Sequence, residues 1–361
     1  MNSEPQAKTP VLRPQRISPK HINRLKAAAA VLTAGGLALF AYFIYSVGLH
    51  EILNGIEKLG LGGFAILLTI YFLRMCTRAW AWSLSVYEPY SLTLKDTIPA
   101  VLIGEAMSSV IPLGILISGT SKAIGVKSRI PLVARLSSVA TENLFYSLVT
   151  SIFLIAGGIT LLRGFAIDES VVFTINFLIV AVAILVVLGF IMVIRQWHFA
   201  SETCEWLYQR GFLTRLLENG RLDVRLFENL IYDFYRRYPR RFLPICLFEM
   251  IYHFVGIAEV WFILSRLTGA FPNPVHAFLL ESVSRLIAVL FKLVPFMMGV
   301  DEAGAQFVGH TVALAAGVGV TLAIIRKGRI LFWTAVGILL VIKRGFSLRE
   351  FSRSAERQPP A

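Results

Sequence analysis

The stretch IPAVLIGEAMSSVIPLGILI, residues 98–117, decides how this chain folds. It has the length of a bilayer-crossing helix, which needs roughly 20 apolar residues. Yet both of its flanks are basic, with Lys95 before it and Lys122, Lys127 and Arg129 after it. Lys and Arg collect on the cytoplasmic side of membrane segments, so a single ordinary crossing does not fit. Pro112 and Gly114, with Gly104 upstream, interrupt the stretch, and proline removes a helical N–H and clashes with the preceding turn. The segment is therefore expected to dip in and return, or to cross twice as short broken helices.

Working outward, apolar blocks of spanning length recur at residues 27–47, 61–82, 136–162, 171–194, 242–267 and 318–342. A second broken stretch, residues 278–307, carries Pro295, Gly299 and Gly304, and with them Glu281, Arg285, Lys292, Asp301 and Glu302. Of 361 residues 56% are hydrophobic and 16% charged, against roughly 25% charged in soluble domains; mean hydropathy is +0.68. These features predict an all-α polytopic membrane bundle: about six full spans plus two broken or re-entrant stretches. Non-helical backbone at membrane depth survives only inside protein or beside a wet cavity. Residues 1–26 form a basic tail, 27–345 the membrane domain and 346–361 a second basic tail. The first apolar block is too long for a signal-peptide core and reads as an uncleaved anchor.

Counting basic residues orients the chain. With the amino-terminal tail inside, that side holds Lys8, Arg13, Arg16, Lys20, Arg24 and Lys26, then Arg74, Arg78 and Lys95, then Lys122, Lys127, Arg129 and Arg135. Nine arginines between Arg195 and Arg241 follow, and then the carboxyl-terminal tail. Lys58, Arg163 and Arg266 fall outside. Both ends are thus expected on the cytoplasmic side of the membrane. The same distribution accounts for the net charge of +13 without nucleic acid, since basic residues seek inner loops and anionic headgroups. Cys76, Cys204 and Cys246 lie far apart, expected as free thiols with no metal-ligand spacing. Residues 195–241 place Leu222, Leu226, Leu230, Phe234 and Tyr238 at helical spacing. That helix lies either on the inner leaflet or on the bundle's own cytoplasmic face.

Two portions of the chain share a plan. A spanning block (61–82) leads to the break at Pro112 and then to a helix containing Glu142; another (242–267) leads to Pro295 and then to Arg329. The first begins outside and the second inside, which is the inverted repeat of many transporters. Charges at such depth pair, line cavities or mark a transport path. Asp301 and Glu302 with Lys292 either grip a polar headgroup or form an ion pair that holds the break. Arg326, Lys327 and Arg329 either meet phosphate, which guanidinium forks suit, or anchor the last helix by snorkelling. Glu142 is a coupling acid, a helix cap or a partner of Arg135. No nucleotide loop, HExxH or cofactor motif is present, and no cofactor is expected.

Several segments together resemble the flippase-like transmembrane family named for lysylphosphatidylglycerol synthase: Gly104-Glu105, Ile111-Pro112-Leu113-Gly114, Thr141-Glu142-Asn143, Lys292 through Phe296, Gly299-Val300-Asp301-Glu302-Ala303-Gly304 and Leu322 through Arg326. That family includes the membrane portion of the multiple peptide resistance factor and membrane proteins associated with hopanoid biosynthesis. The resemblance implies a domain that moves or presents a lipid between leaflets. Full-length synthases append a large cytosolic aminoacyl-transfer domain, which this sequence does not show, so synthase activity is not expected. The expected substrate-binding residues are Lys292, Arg326, Arg329, Glu302, Asp301, Glu142 and Glu105, and the expected structural breaks Pro112, Gly114, Pro295, Gly299 and Gly304. The expected partner is a membrane lipid (anionic, zwitterionic or terpenoid), beside a homo-oligomer or a lipid-biosynthesis enzyme. A membrane scaffold for a lipid-modifying enzyme is the alternative reading.

Overall fold

A computed structural model describes residues 38, 41–110, 114–210, 214–290, 299–315 and 317–343. Both tails, most of the first apolar block, Pro112, Lys292 and Pro295 lie outside the described residues. The described residues are helical, with no strand. They form α1 (Leu49–Leu84), α2 (Leu94–Val110), α3 (Gly114–Gly125), α4 (Leu132–Gly164), α5 (Glu169–Ile194) and α6 (Phe199–Gln209). Then come α7 (Thr214–Arg237), α8 (Pro239–Thr268), α9 (Pro274–Leu290), α10 (Val300–Thr311) and α11 (Val318–Lys343).

α1, α4, α5 and α8 are long and apolar enough to cross a membrane. α11 is as long as α5, but Arg326, Lys327 and Arg329 in its middle set its composition apart. Local chemistry sets several boundaries. Gly60, at φ +63°, kinks α1, a backbone state that costs glycine little. Pro239 opens α8, where its missing N–H is no loss, and Gly269, at φ +67°, closes it in the left-handed conformation. Asp96 caps the start of α2: the Thr93 N–H and hydroxyl both donate to its Oδ2.

Each broken stretch is a helical hairpin. α2 and α3 pack side by side, with Gly104 against Ser118 and Lys122, and Gly125 against Ala100. That antiparallel pairing brings residues after the break back beside residues before it. α9 and α10 repeat the arrangement. Two glycines expected near the breaks act differently. Gly104 lies inside α2 and Gly304 inside α10, so neither is a break. Gly104 instead gives α3 room, since a Cβ there would stand 2.7 Å from Lys122 Cγ. Gly299, at φ +78°, does begin α10, and Gly114 begins α3.

Contacts between elements reveal the repeat. α1 runs antiparallel to α8, placing Gly55 by Leu267 and stacking Trp80 on Phe248 at 5.1 Å. α4 runs parallel to α8, with Phe145 by Phe242 and Phe153 by His253. α11 runs parallel to α1, with Gly55 by Thr321 and Phe72 by Trp333. The first hairpin packs on α11, where Gly337 lies against Leu102 and Ala106. The second packs on α4, where Gly157 lies against Ser282. Each unit's hairpin thus rests on the other unit's last helix, through the small-residue contact that lets membrane helices approach closely.

The loop of residues 195–241 forms α6 and α7. Glu228 accepts the N–H groups of Ala200 and Ser201 at 2.9 and 3.2 Å, pinning the start of α6 to α7. The apolar stripe of α7 divides along its length. Phe234 is buried against Phe145 of α4, whereas Leu222 and Leu226 stay exposed. The carboxyl half of the helix therefore packs on the bundle.

Candidate functional site: a buried charge network between the repeats

The apolar core is split by ionised side chains drawn from both units. At its centre Glu281 of α9, fully buried, accepts from three guanidiniums: Arg74 Nη2 at 2.6 Å, Arg285 Nε at 2.8 Å and Arg326 Nη2 at 2.8 Å. Glu259 of α8, also fully buried, is bonded by Arg329 Nη1. It lies 3.7 Å from Arg74 Nη1 and 3.5 Å from Arg326 Nε. Aromatic faces cover the cations: Arg74 stands 4.1 Å over Tyr252, and Arg329 3.9 Å over Tyr71. The Tyr71 hydroxyl donates to Glu105 Oε1 at 3.1 Å.

Two satellite groups flank this centre. In the first unit, Glu142 of α4 receives Arg78 Nε at 2.9 Å and Lys122 Nζ at 3.1 Å. Arg78 also donates to Asn143 Oδ1 at 3.1 Å. Glu249 of α8 is buried beside them, and neither of its oxygens has a hydrogen-bond partner among the described residues. In the second unit, Lys327 of α11 lies 3.4 Å from Asp301 and 3.3 Å from Glu302 of α10. Glu302 Oε2 also accepts the Gly299 N–H at 2.8 Å. The Gly-x-x-Glu pattern thus has a physical reason: glycine takes the left-handed turn and the glutamate, three residues on, caps it. The satellites occupy matching places, each tying a hairpin's second arm to its own unit's last helix. Their signs are exchanged, with lysine on the hairpin in one and on the helix in the other.

Ions are expensive in a low-dielectric interior unless paired and hydrogen-bonded. Apart from Glu249, these charged side chains find partners, several of them far apart in sequence, such as Arg74 and Glu281. Most of the network is sealed. Arg285 and Arg326, 24% and 18% exposed, open one side of it.

The structure gathers the expected residues Glu105, Glu142, Asp301, Glu302, Arg326 and Arg329 into this network; Lys292 lies outside the described residues. Some alternatives resolve. Glu142 pairs with Arg78 and Lys122 and not with Arg135. Lys327 is buried and ion-paired, so it does not snorkel. Arg74, Arg78 and Lys122, counted as inner-loop charges, are in fact buried in the bundle. A basic residue near a block's end obeys the positive-inside rule only if no acid waits for it in another helix. Glu249 and Glu259 were missed altogether, though both stand inside the apolar block 242–267, where an acid is itself a signal. Among the described residues no cluster of His, Cys, Asp and Glu is arranged to hold a metal, and the three cysteines are free.

Two inverted units of long helix, hairpin and long helix, locked through buried ion pairs, define a polytopic all-α membrane protein. The chain belongs to the family described as the lysylphosphatidylglycerol synthase transmembrane region, whose pattern matches residues 27–337. Neither curated proteins nor solved structures provide a match. Family and fold together make it a membrane, lipid-related protein.

Proposed function

We propose that the protein is a lipid translocase, moving a polar-headed lipid between the leaflets of a bacterial inner membrane with both chain ends cytoplasmic. The observation that carries this reading is the meeting of two oppositely oriented hairpins around one charge network that is open at Arg285 and Arg326. The headgroup would enter on that open side while the tails remain in lipid. Rocking one unit against the other would turn the opening from one leaflet to the other. The reading calls for movement of an intact lipid, with no covalent chemistry and no aminoacyl transfer. Leaflet-resolved labelling of a fluorescent lipid in reconstituted vesicles tests it, and identical traces from protein-containing and empty vesicles would refute it.

A scaffold role for a lipid-modifying enzyme draws on another feature: the exposed Trp197, Phe199, Trp206, Leu222 and Leu226 of the α6–α7 hairpin. If lipid phenotype depends on that hairpin and survives neutralising Arg326 and Glu302, the scaffold reading replaces the first.

A further inference from the structure

Glu249 stands apart from the other acids of the network. It is fully buried in α8, and among the described residues neither of its oxygens receives a hydrogen bond. Donors are close at hand. Arg78 and Lys122 both face it, yet Arg78 turns to Glu142 and Asn143, and Lys122 to both oxygens of Glu142 at 3.3 and 3.1 Å. Two cations thus stand between two carboxylates and bond to one of them.

The charges of this group set two demands against each other. Arg78, Lys122, Glu142 and Glu249 sum to zero only if Glu249 is ionised. An ionised carboxylate buried without a donor is expensive, and a neutral carboxyl much less so. Each protonation state is favoured on one count and opposed on the other, which suits a group that takes up and releases a proton. The geometry matches the protonated state, since both cations belong to Glu142.

Around Glu249, α1 contributes Arg78, α3 Lys122 and α4 Glu142. Cys246 lies one turn back on α8 and faces Tyr235 of α7. His253 lies one turn on, its Nε2 3.0 Å from the Thr150 hydroxyl. α9 and α11 bring Glu281 and Arg326 together at the level of Gly256, about two turns along α8. The position of Glu249 decides what its proton does. Arg78, Lys122 and Glu142 all belong to the first unit, and Glu249 to the second. Ionised, Glu249 becomes a second acceptor that draws the two cations across the boundary between the units. Protonated, it leaves them to Glu142, where Lys122 ties α3 to α4.

We infer that Glu249 is a reversible proton-binding site, its carboxylate taking a proton from water and returning it, and that this exchange drives the rocking of one unit against the other. A proton gradient is then the energy source of lipid movement. The coupling rests on the translocase reading; the proton site does not.

The test uses the full chain reconstituted in vesicles with the membrane potential clamped, and it has two arms. Infrared difference spectra between acid and alkaline buffer read protonation directly. Wild-type protein is expected to show the C=O band of a buried carboxylic acid, which E249Q removes and E249D returns at a shifted frequency. E249Q takes away no hydrogen bond within the described residues, so it is expected to fold. The second arm follows fluorescent phosphatidylglycerol under an imposed pH gradient. At one proton per lipid, a gradient of about one pH unit sustains an about tenfold difference between leaflets. Wild-type protein is expected to build a several-fold asymmetry and E249Q none. A wild-type spectrum without a band assignable to Glu249 would overturn the inference, as would a folded E249Q that responds to the gradient as wild type does. A band accompanied by lipid movement indifferent to the gradient would overturn the coupling. If the band is present and no lipid moves under any condition, the translocase reading fails and the proton site stands.

Discussion

Replacing Glu281 by Gln preserves the side chain's size and removes its charge, leaving three guanidiniums without their shared acceptor. Arg74, 1% exposed, would keep only Glu259 at 3.7 Å and the face of Tyr252. Two unit charges 4 Å apart attract by about 4 kcal/mol at an effective dielectric of about 20. Part of that is already spent on desolvation, and removing one member of a buried pair typically costs about 3–5 kcal/mol. Because Arg285 and Arg326 can turn toward water, the loss is expected to be carried mainly by Arg74. E281Q should therefore destabilise the protein by about 3–5 kcal/mol, measured by titration with sodium dodecyl sulfate in mixed micelles. Adding Arg74→Met should recover part of this, with a coupling of at least about 1 kcal/mol between the two sites. Glu88→Gln serves as the control, because Glu88 is 61% exposed and its loss should stay within about 0.5 kcal/mol. If E281Q falls in the same range as the control, the buried network does not hold the two units together and the reasoning fails.

Three further outcomes follow from the same geometry. Glu142→Gln should cost about 3 kcal/mol or more, since Arg78 and Lys122 both depend on it, and Lys122→Met in that background should restore part of the loss in the same titration. Gly337→Val should destabilise by about 1–3 kcal/mol or more, because a Cβ there collides with Ala106 and comes within 2.7 Å of the Leu102 carbonyl oxygen; Gly189→Val, at a half-buried position with open space around the Cβ, should cost much less. In a background free of native cysteines, single cysteines at the exposed positions Lys95 and Lys127 should react with an impermeant maleimide from the same side of the membrane, and labelling from opposite sides would eliminate the returning hairpin.

Helix positions were largely readable because bilayer thickness fixes the length of an apolar block: 136–162 became α4, 171–194 became α5 and 242–267 became α8, each within a few residues. The hairpin at 98–117 was readable from a conflict, basic flanks on both sides of an apolar stretch with a proline in it. What the sequence could not distinguish was a glycine that breaks a helix from one that admits a neighbour. Gly104 belongs to the second kind, and its neighbours Ser118 and Lys122 are set by tertiary packing. Pairing was hidden for a similar reason. Arg74 and Glu281 are 207 residues apart, and nothing local to either names the other. Arg74 and Arg78 stand four residues apart inside an apolar block, which places them on one helix face and marks them as intramembrane charges in retrospect. The positive-inside rule, applied to a block's end, assigns the same two residues to a loop.

The central claim is that the two units carry a lipid across the bilayer, and the most direct measurement is a dose series. Vesicles are loaded symmetrically with fluorescent phosphatidylglycerol, and dithionite is added outside at increasing protein-to-lipid ratio. In empty vesicles only the outer half of the label is reducible. The account predicts that the fraction of vesicles whose label is reduced completely rises with protein content until nearly all vesicles hold a copy. A reducible fraction that stays at the empty-vesicle level at every ratio, with folded protein confirmed in the membrane, would contradict it.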